Sequence, residues 1–97
     1  MAVARAERTT IVHDDADDVF VKARGILAEV GTVSFVDRDR RFLQGTARQG
    51  LRTVRIGIAA APIAGGTSLL VEATTEGPGR GVLRKCLDRV MGAIEHA

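Results

Sequence analysis

Residues 80–97 read RGVLRKCLDRVMGAIEHA, and the period of this stretch decides how the rest of the chain is arranged. Leu83, Cys86, Leu87, Val90 and Ile94 fall at i, i+3, i+4, i+7 and i+11, with Val82 and Met91 widening the stripe. Arg84, Lys85, Asp88, Arg89 and Glu95 occupy the other side. This is an amphipathic helix, and an apolar stripe of that width has to be covered. The chain upstream must supply the surface that covers it.

That surface reads as a sheet. Arg8 to His13 is rich in β-formers and gives a first strand, preceded by a segment, residues 1–7, that is either frayed or an extension of the strand. The acids Asp14, Asp15, Asp17 and Asp18 then open a helical pattern, Val19, Phe20, Ala23, Ile26, Leu27 and Val30. Asp14 or Asp15 is its N-cap and Gly31 its stop. From Thr32 the period changes to two, with Val33 and Phe35 on the inner side, and Asp37 to Arg40 is a turn.

Strands follow at Arg41–Arg48, Arg52–Ala61 and Thr67–Thr75. A two-residue hairpin loop at Gln49-Gly50 pairs Ala47 with Arg52, Gly45 with Val54 and Leu43 with Ile56. Leu43 then points inward and Phe42 outward, which requires a three-residue loop or a bulge just before. A turn at residues 62–66 sets Leu69, Val71 and Ala73 against Ile58, Ile56 and Val54. The breaker Glu76-Gly77-Pro78-Gly79 leads into the last helix. The expected fold class is α+β, a two-layer sandwich in the order β-α-β-β-β-β-α, with an antiparallel sheet and both helices on one face. The expected core holds Val12, Phe20, Ile26, Leu27, Val33, Phe35, Leu43, Val54, Ile56, Ile58, Leu69, Val71, Leu83, Leu87, Val90 and Ile94.

Composition narrows the function classes. The 97 residues, 45% hydrophobic, make one domain over 1–97, since a chain of this size buries roughly 60 to 68% of its unfolded surface around a single core. The one cysteine, Cys86, lies on the apolar stripe and reads as a buried hydrophobe. No apolar run reaches the roughly 20 residues of a membrane span, and MAVARAERTT has no signal-peptide core, so the expected location is cytoplasmic with no membrane partner. Arginine supplies 12 of the 14 basic residues, and the Ala, Arg, Gly and Val bias resembles a GC-rich bacterial genome.

TTIVHDDADDVFVKARGILAEVG resembles the opening of START-type helix-grip domains, and GPGRGVLRKCLDRVMGAIEHA resembles their long final helix. Between them, FLQGTARQGLRTVRIGIAAAPIAGGTSLLVEAT looks like their meander of antiparallel strands. The resemblance is to a cut-down version of that family, or to a small bacterial domain of unknown function with the same element order. It implies binding of a lipid, polyketide or other apolar small molecule, or a structural role.

No residue pattern points to catalysis or to a cofactor. The HDDADD cluster lacks the spacing of a calcium loop, so it reads as a capped, solvated helix start and not as a metal site. Three non-enzymatic functions remain. An apolar ligand held between sheet and last helix would touch Phe20, Phe35, Leu43, Leu83 and Leu87. A nucleic acid, the less favoured partner, would use the basic residues Arg41, Arg48, Arg52 and Arg55 of the arginine-rich segment 38–55. A homodimer would use the sheet face away from the helices, through Ile11, Val36, Phe42 and Leu70 together with Ser34, Gly57 and Ala59.

Overall fold

In the computed structural model, which describes residues 2–96, the elements follow in the expected order; Met1 and Ala97 lie outside the described residues. They are β1 (Val3–Val12), α1 (Ala16–Val30), β2 (Gly31–Asp37), β3 (Phe42–Gln49), β4 (Arg52–Ile63), β5 (Gly66–Glu76) and α2 (Arg80–Glu95). The strands form one antiparallel sheet in the order β1-β5-β4-β3-β2. α1 carries the chain from one edge of this sheet to the other, and both helices pack on the same face. β1 begins at Val3, so from there on the N-terminal segment is strand and not a frayed end.

Local chemistry sets the element ends. Asp15 is the N-cap of α1: its Oδ2 accepts the Asp17 backbone N–H at 3.1 Å, and Asp17 and Asp18 place negative charge in the first turn. Gly31 ends the helix as expected, but not through a left-handed backbone. Its φ is −166°, which is extended backbone, and it is already the first residue of β2. What requires glycine is space, because a Cβ here would lie 1.9 Å from the Thr46 carbonyl oxygen of the adjoining strand.

The hairpins keep the expected faces but slip by two residues. The β3–β4 loop is Gly50-Leu51, with Gly50 at φ 63°, so Ala47 pairs with Val54, Gly45 with Ile56 and Leu43 with Ile58. The β4–β5 loop tightens to Ala64-Gly65, with Gly65 at φ 82°, and pairs Ile58 with Val71 and Ile56 with Ala73. A slip of two leaves every side chain on its face, and Leu43 is buried as expected.

β2 departs from the expectation. Its register jumps between Val33, opposite Gly45, and Phe35, opposite Gln44, leaving Ser34 as a bulge. The bulge turns Phe35 out of the core, where it is 50% exposed, and turns Val36 in, where it packs against the core. Both placements correct the simple alternation. The bulge also answers the need for an extra residue ahead of β3. Arg41, expected within that strand, instead closes the turn with φ 50°.

Val19, Phe20, Ala23, Ile26 and Leu27 of α1 and Leu83, Cys86, Leu87, Val90, Met91 and Ile94 of α2 are buried against the inward residues of β3, β4 and β5. Each large aliphatic side chain so placed contributes about 1.5 to 3 kcal/mol. Val12 and Val33 are only partly buried at the rim of this core.

Candidate functional site

The two faces of the sheet offer different chemistry. On the helix side, Phe20, Leu43, Leu83 and Leu87 belong to one continuous core. None of the four is more than 5% exposed, and none lines the main surface depressions among the described residues. They are buried members of the cluster that joins both helices to the sheet. Phe35, expected to join them, is on the opposite face.

The outer face has no helix on it, and the register arranges its side chains in rows across the strands. One row is Arg5, Thr74, Arg55, Thr46 and Thr32, from β1 to β2. The next is Glu7, Glu72, Gly57, Gln44 and Phe35, and the one after is Thr9, Leu70, Ala59, Phe42 and Asp37. Ile11 stands opposite Ser68 one row further on. The face is therefore polar at one end. At the other an apolar strip crosses all five strands, through Ile11, Leu70, Ala59, Phe42 and Phe35. The Phe35 and Phe42 rings pack in tilted contact, with centroids 6.2 Å apart. Ile11, Phe42 and Leu70 take the positions expected of them in this strip; Val36 does not, because the bulge turns it inward.

The arginines expected to make a basic surface are dispersed. Arg41 donates from Nε to Asp17 Oδ1 at 2.8 Å and ties the β2–β3 turn to α1. Arg52 donates to the Glu76 carbonyl at 2.6 Å beneath the β5–α2 connection. Arg48 and Arg55 project from the outer face. The other ion pairs also act as fasteners: Arg8 of β1 holds Asp88 of α2, and Arg5 holds Glu72 across β1 and β5. Of the acidic cluster, Asp15 caps, Asp17 pairs with Arg41, and Asp14 stands 3.9 Å from Lys22.

The outer face also holds an open depression of about 500 Å³ whose lining includes Gly57, Gln44, Thr46, Arg55, Glu72 and Thr74. The signal for it was available in the alternation, since a glycine at an outward position of the central strand removes a side chain from the middle of the face.

No family model and no curated protein matches the sequence. Solved structures do match. Ara h 8.0201 superposes with a TM-score of 0.75 at 11% identity, over 97% of this chain and 94% of that one. The helix-grip fold is shared. The Zhui aromatase/cyclase from Streptomyces sp. R1128 gives 0.65 at 14% identity, over 95% and 88%. A member of the major latex protein family from Arabidopsis thaliana gives 0.61 at 13%, over 97% and 93%. At these identities the likeness is one of architecture, and it supports the cut-down helix-grip reading of the sequence. Within this helix-grip chain, no described helix is long and apolar enough to cross a membrane.

Proposed function

We propose that this chain is a non-enzymatic interaction module that works as a homodimer through the outer face of its sheet. The observation that carries the reading is the apolar strip from Ile11 through Leu70, Ala59 and Phe42 to Phe35, on a face that no element of the chain covers. A solvated antiparallel sheet face normally carries polar residues along its whole length. Here Phe35 and Ile11 are 50% and 58% exposed.

A second copy fits this strip for a reason of symmetry. A two-fold axis through Ala59, lying in the plane of the face, sets the Leu70, Ala59 and Phe42 row of one copy on the same row of the other. The small side chain at the axis then admits close approach between the larger ones. Light scattering on the purified chain tests this directly. The wild type is expected to have the mass of a dimer, and Phe42→Asp that of a folded monomer. A wild type that remains monomeric at high concentration overturns the reading.

The fold favours a second reading, an apolar small molecule held between the sheet and α2 by Phe20, Leu43, Leu83 and Leu87. These four side chains are buried, so such a ligand would have to reach them through the packed layer between sheet and helices. Native mass spectrometry separates the two readings, because a co-purifying small mass supports the ligand and a bare doubled mass supports the dimer.

A further inference from the structure

We propose that the depression around Gly57 is a binding site for a small flat monoanion, whose carboxylate sits on Arg55 and whose apolar body lies on the backbone of Gly57 beside the Phe42 ring. This goes beyond the dimer reading and rests on Arg55, Gly57 and their neighbours on the outer face, sharing only Phe42 with the apolar strip.

Three observations support it. The first is shape. Gly57 lies on the central strand between Gln44 and Glu72, and a Cβ built there would meet only the edge of Phe42, with Cε1 at 3.7 Å and Cζ at 3.8 Å. The missing side chain opens the depression of about 500 Å³. Its floor at Gly57 is bare backbone, and the Phe42 ring edge lies next to that floor, so a planar group seated on Gly57 would meet it.

The second is charge. Two guanidinium groups, Arg5 and Arg55, line the depression. Arg5 already pairs with Glu72 and lies 3.8 Å from Glu7. Arg55 has no carboxylate partner among the described residues. The uncompensated positive charge of the site is therefore that of Arg55. Its planar fork offers two parallel N–H donors, a match for a carboxylate.

The third is the flanking chemistry. Arg55 pairs across the strands with Thr46 on one side and Thr74 on the other, and both line the depression, so two hydroxyl-bearing residues flank Arg55 and can donate to an oxyanion held there. Glu72 sets the limit on ligand charge. Its carboxylate lines the same depression and repels a second negative group, so the site selects a monoanion over a polyanion.

Benzoate is the probe, titrated into the isotopically labelled full chain while the backbone amide shifts are followed. Saturable shifts are expected at Thr46, Gly57 and Thr74. Arg55→Gln should weaken binding about tenfold or more, and Arg55→Lys, which keeps the charge but loses the fork, should fall between. Gly57→Ala adds a methyl at ordinary contact distance from Phe42, so the fold is retained while the floor is raised. It should weaken benzoate and leave the response to acetate, a monoanion with no ring to seat on the floor, unchanged. Shifts that do not saturate, that scatter over the surface, that persist at the same strength in Arg55→Gln or that benzyl alcohol reproduces would overturn the site. Light scattering on the same samples reports the dimer separately, so the failure of one proposal is not confused with failure of the other.

Discussion

Phe35 and Phe42 lie side by side on the outer face, their rings inclined at 56°, although simple alternation along β2 would put Phe35 in the core. The bulge at Ser34 brings them together: it spends one residue without a cross-strand partner, so that Phe35 falls opposite Gln44 and Val36 opposite Leu43. Ser34 Oγ donates to the Gln44 carbonyl at 3.3 Å at the same place. The pair is the part of the outer face least consistent with full solvation, and the first prediction concerns it.

Phe35→Ala should change the stability of the monomer by only about 0.5 to 1.5 kcal/mol, the scale of one aromatic pair, because the ring is half exposed. The same change should abolish self-association, as read by light scattering. Leu43→Asp, one strand away and fully buried, should instead unfold the chain. If Phe35→Ala costs as much as a core truncation, the ring is not on the outer face.

Leu87 tests the α2 stripe. It is buried at the centre of the helix, and Leu87→Ala should cost about 2 to 5 kcal/mol in a urea unfolding curve through the cavity it leaves. A change within about 0.5 kcal/mol, the size of an ordinary surface substitution, would show that the stripe is not packed.

Two glycines should respond in opposite directions to the same substitution. Gly25 lies inside α1 with open space where its Cβ would be, so Gly25→Ala should stabilise by about 0.5 to 1 kcal/mol. Gly31→Ala would place a methyl on the Thr46 carbonyl and should destabilise by about 1 to 3 kcal/mol or unfold the chain. Thermal unfolding of both variants checks the contrast, and a neutral Gly31→Ala would contradict the close approach of β2 to β3.

Cys86 supplies a pH dependence. Burial pushes its thiol above the ordinary value, against a smaller opposing pull from the Arg89 guanidinium. A group whose pKa is higher folded than unfolded gives stability that is present below the unfolded value. For a thiol that value is about 8.5, and the stability is lost as pH rises through the raised folded value. The urea midpoint of the wild type should therefore fall on alkaline titration more steeply than that of Cys86→Ala. A thiol reagent should react only as fast as the helix opens. Rapid labelling of the native chain would place Cys86 at the surface.

The arrangement of elements was open to the sequence alone because each leaves a periodic trace. The stripe from Leu83 to Ile94 has the helical period, Val54, Ile56 and Ile58 have the strand period, and Asp15 beside an apolar run marks a helix start. These patterns determined element order, the shared helix face and the inward side of β3, β4 and β5. The pairing register was beyond them, since a slip of two residues restores the same faces, and only the tight turns at Gly50 and Gly65 chose between registers. The direction of Phe35 was beyond them too. Alternation puts Val33 and Phe35 on one face, and what overrides it is where β3, locked to β4, presents Gly45 and Leu43 to this segment. The depression at Gly57 depended on both, because a missing side chain becomes a site only when three strands bring Arg55, Gln44, Thr74 and Glu72 around it.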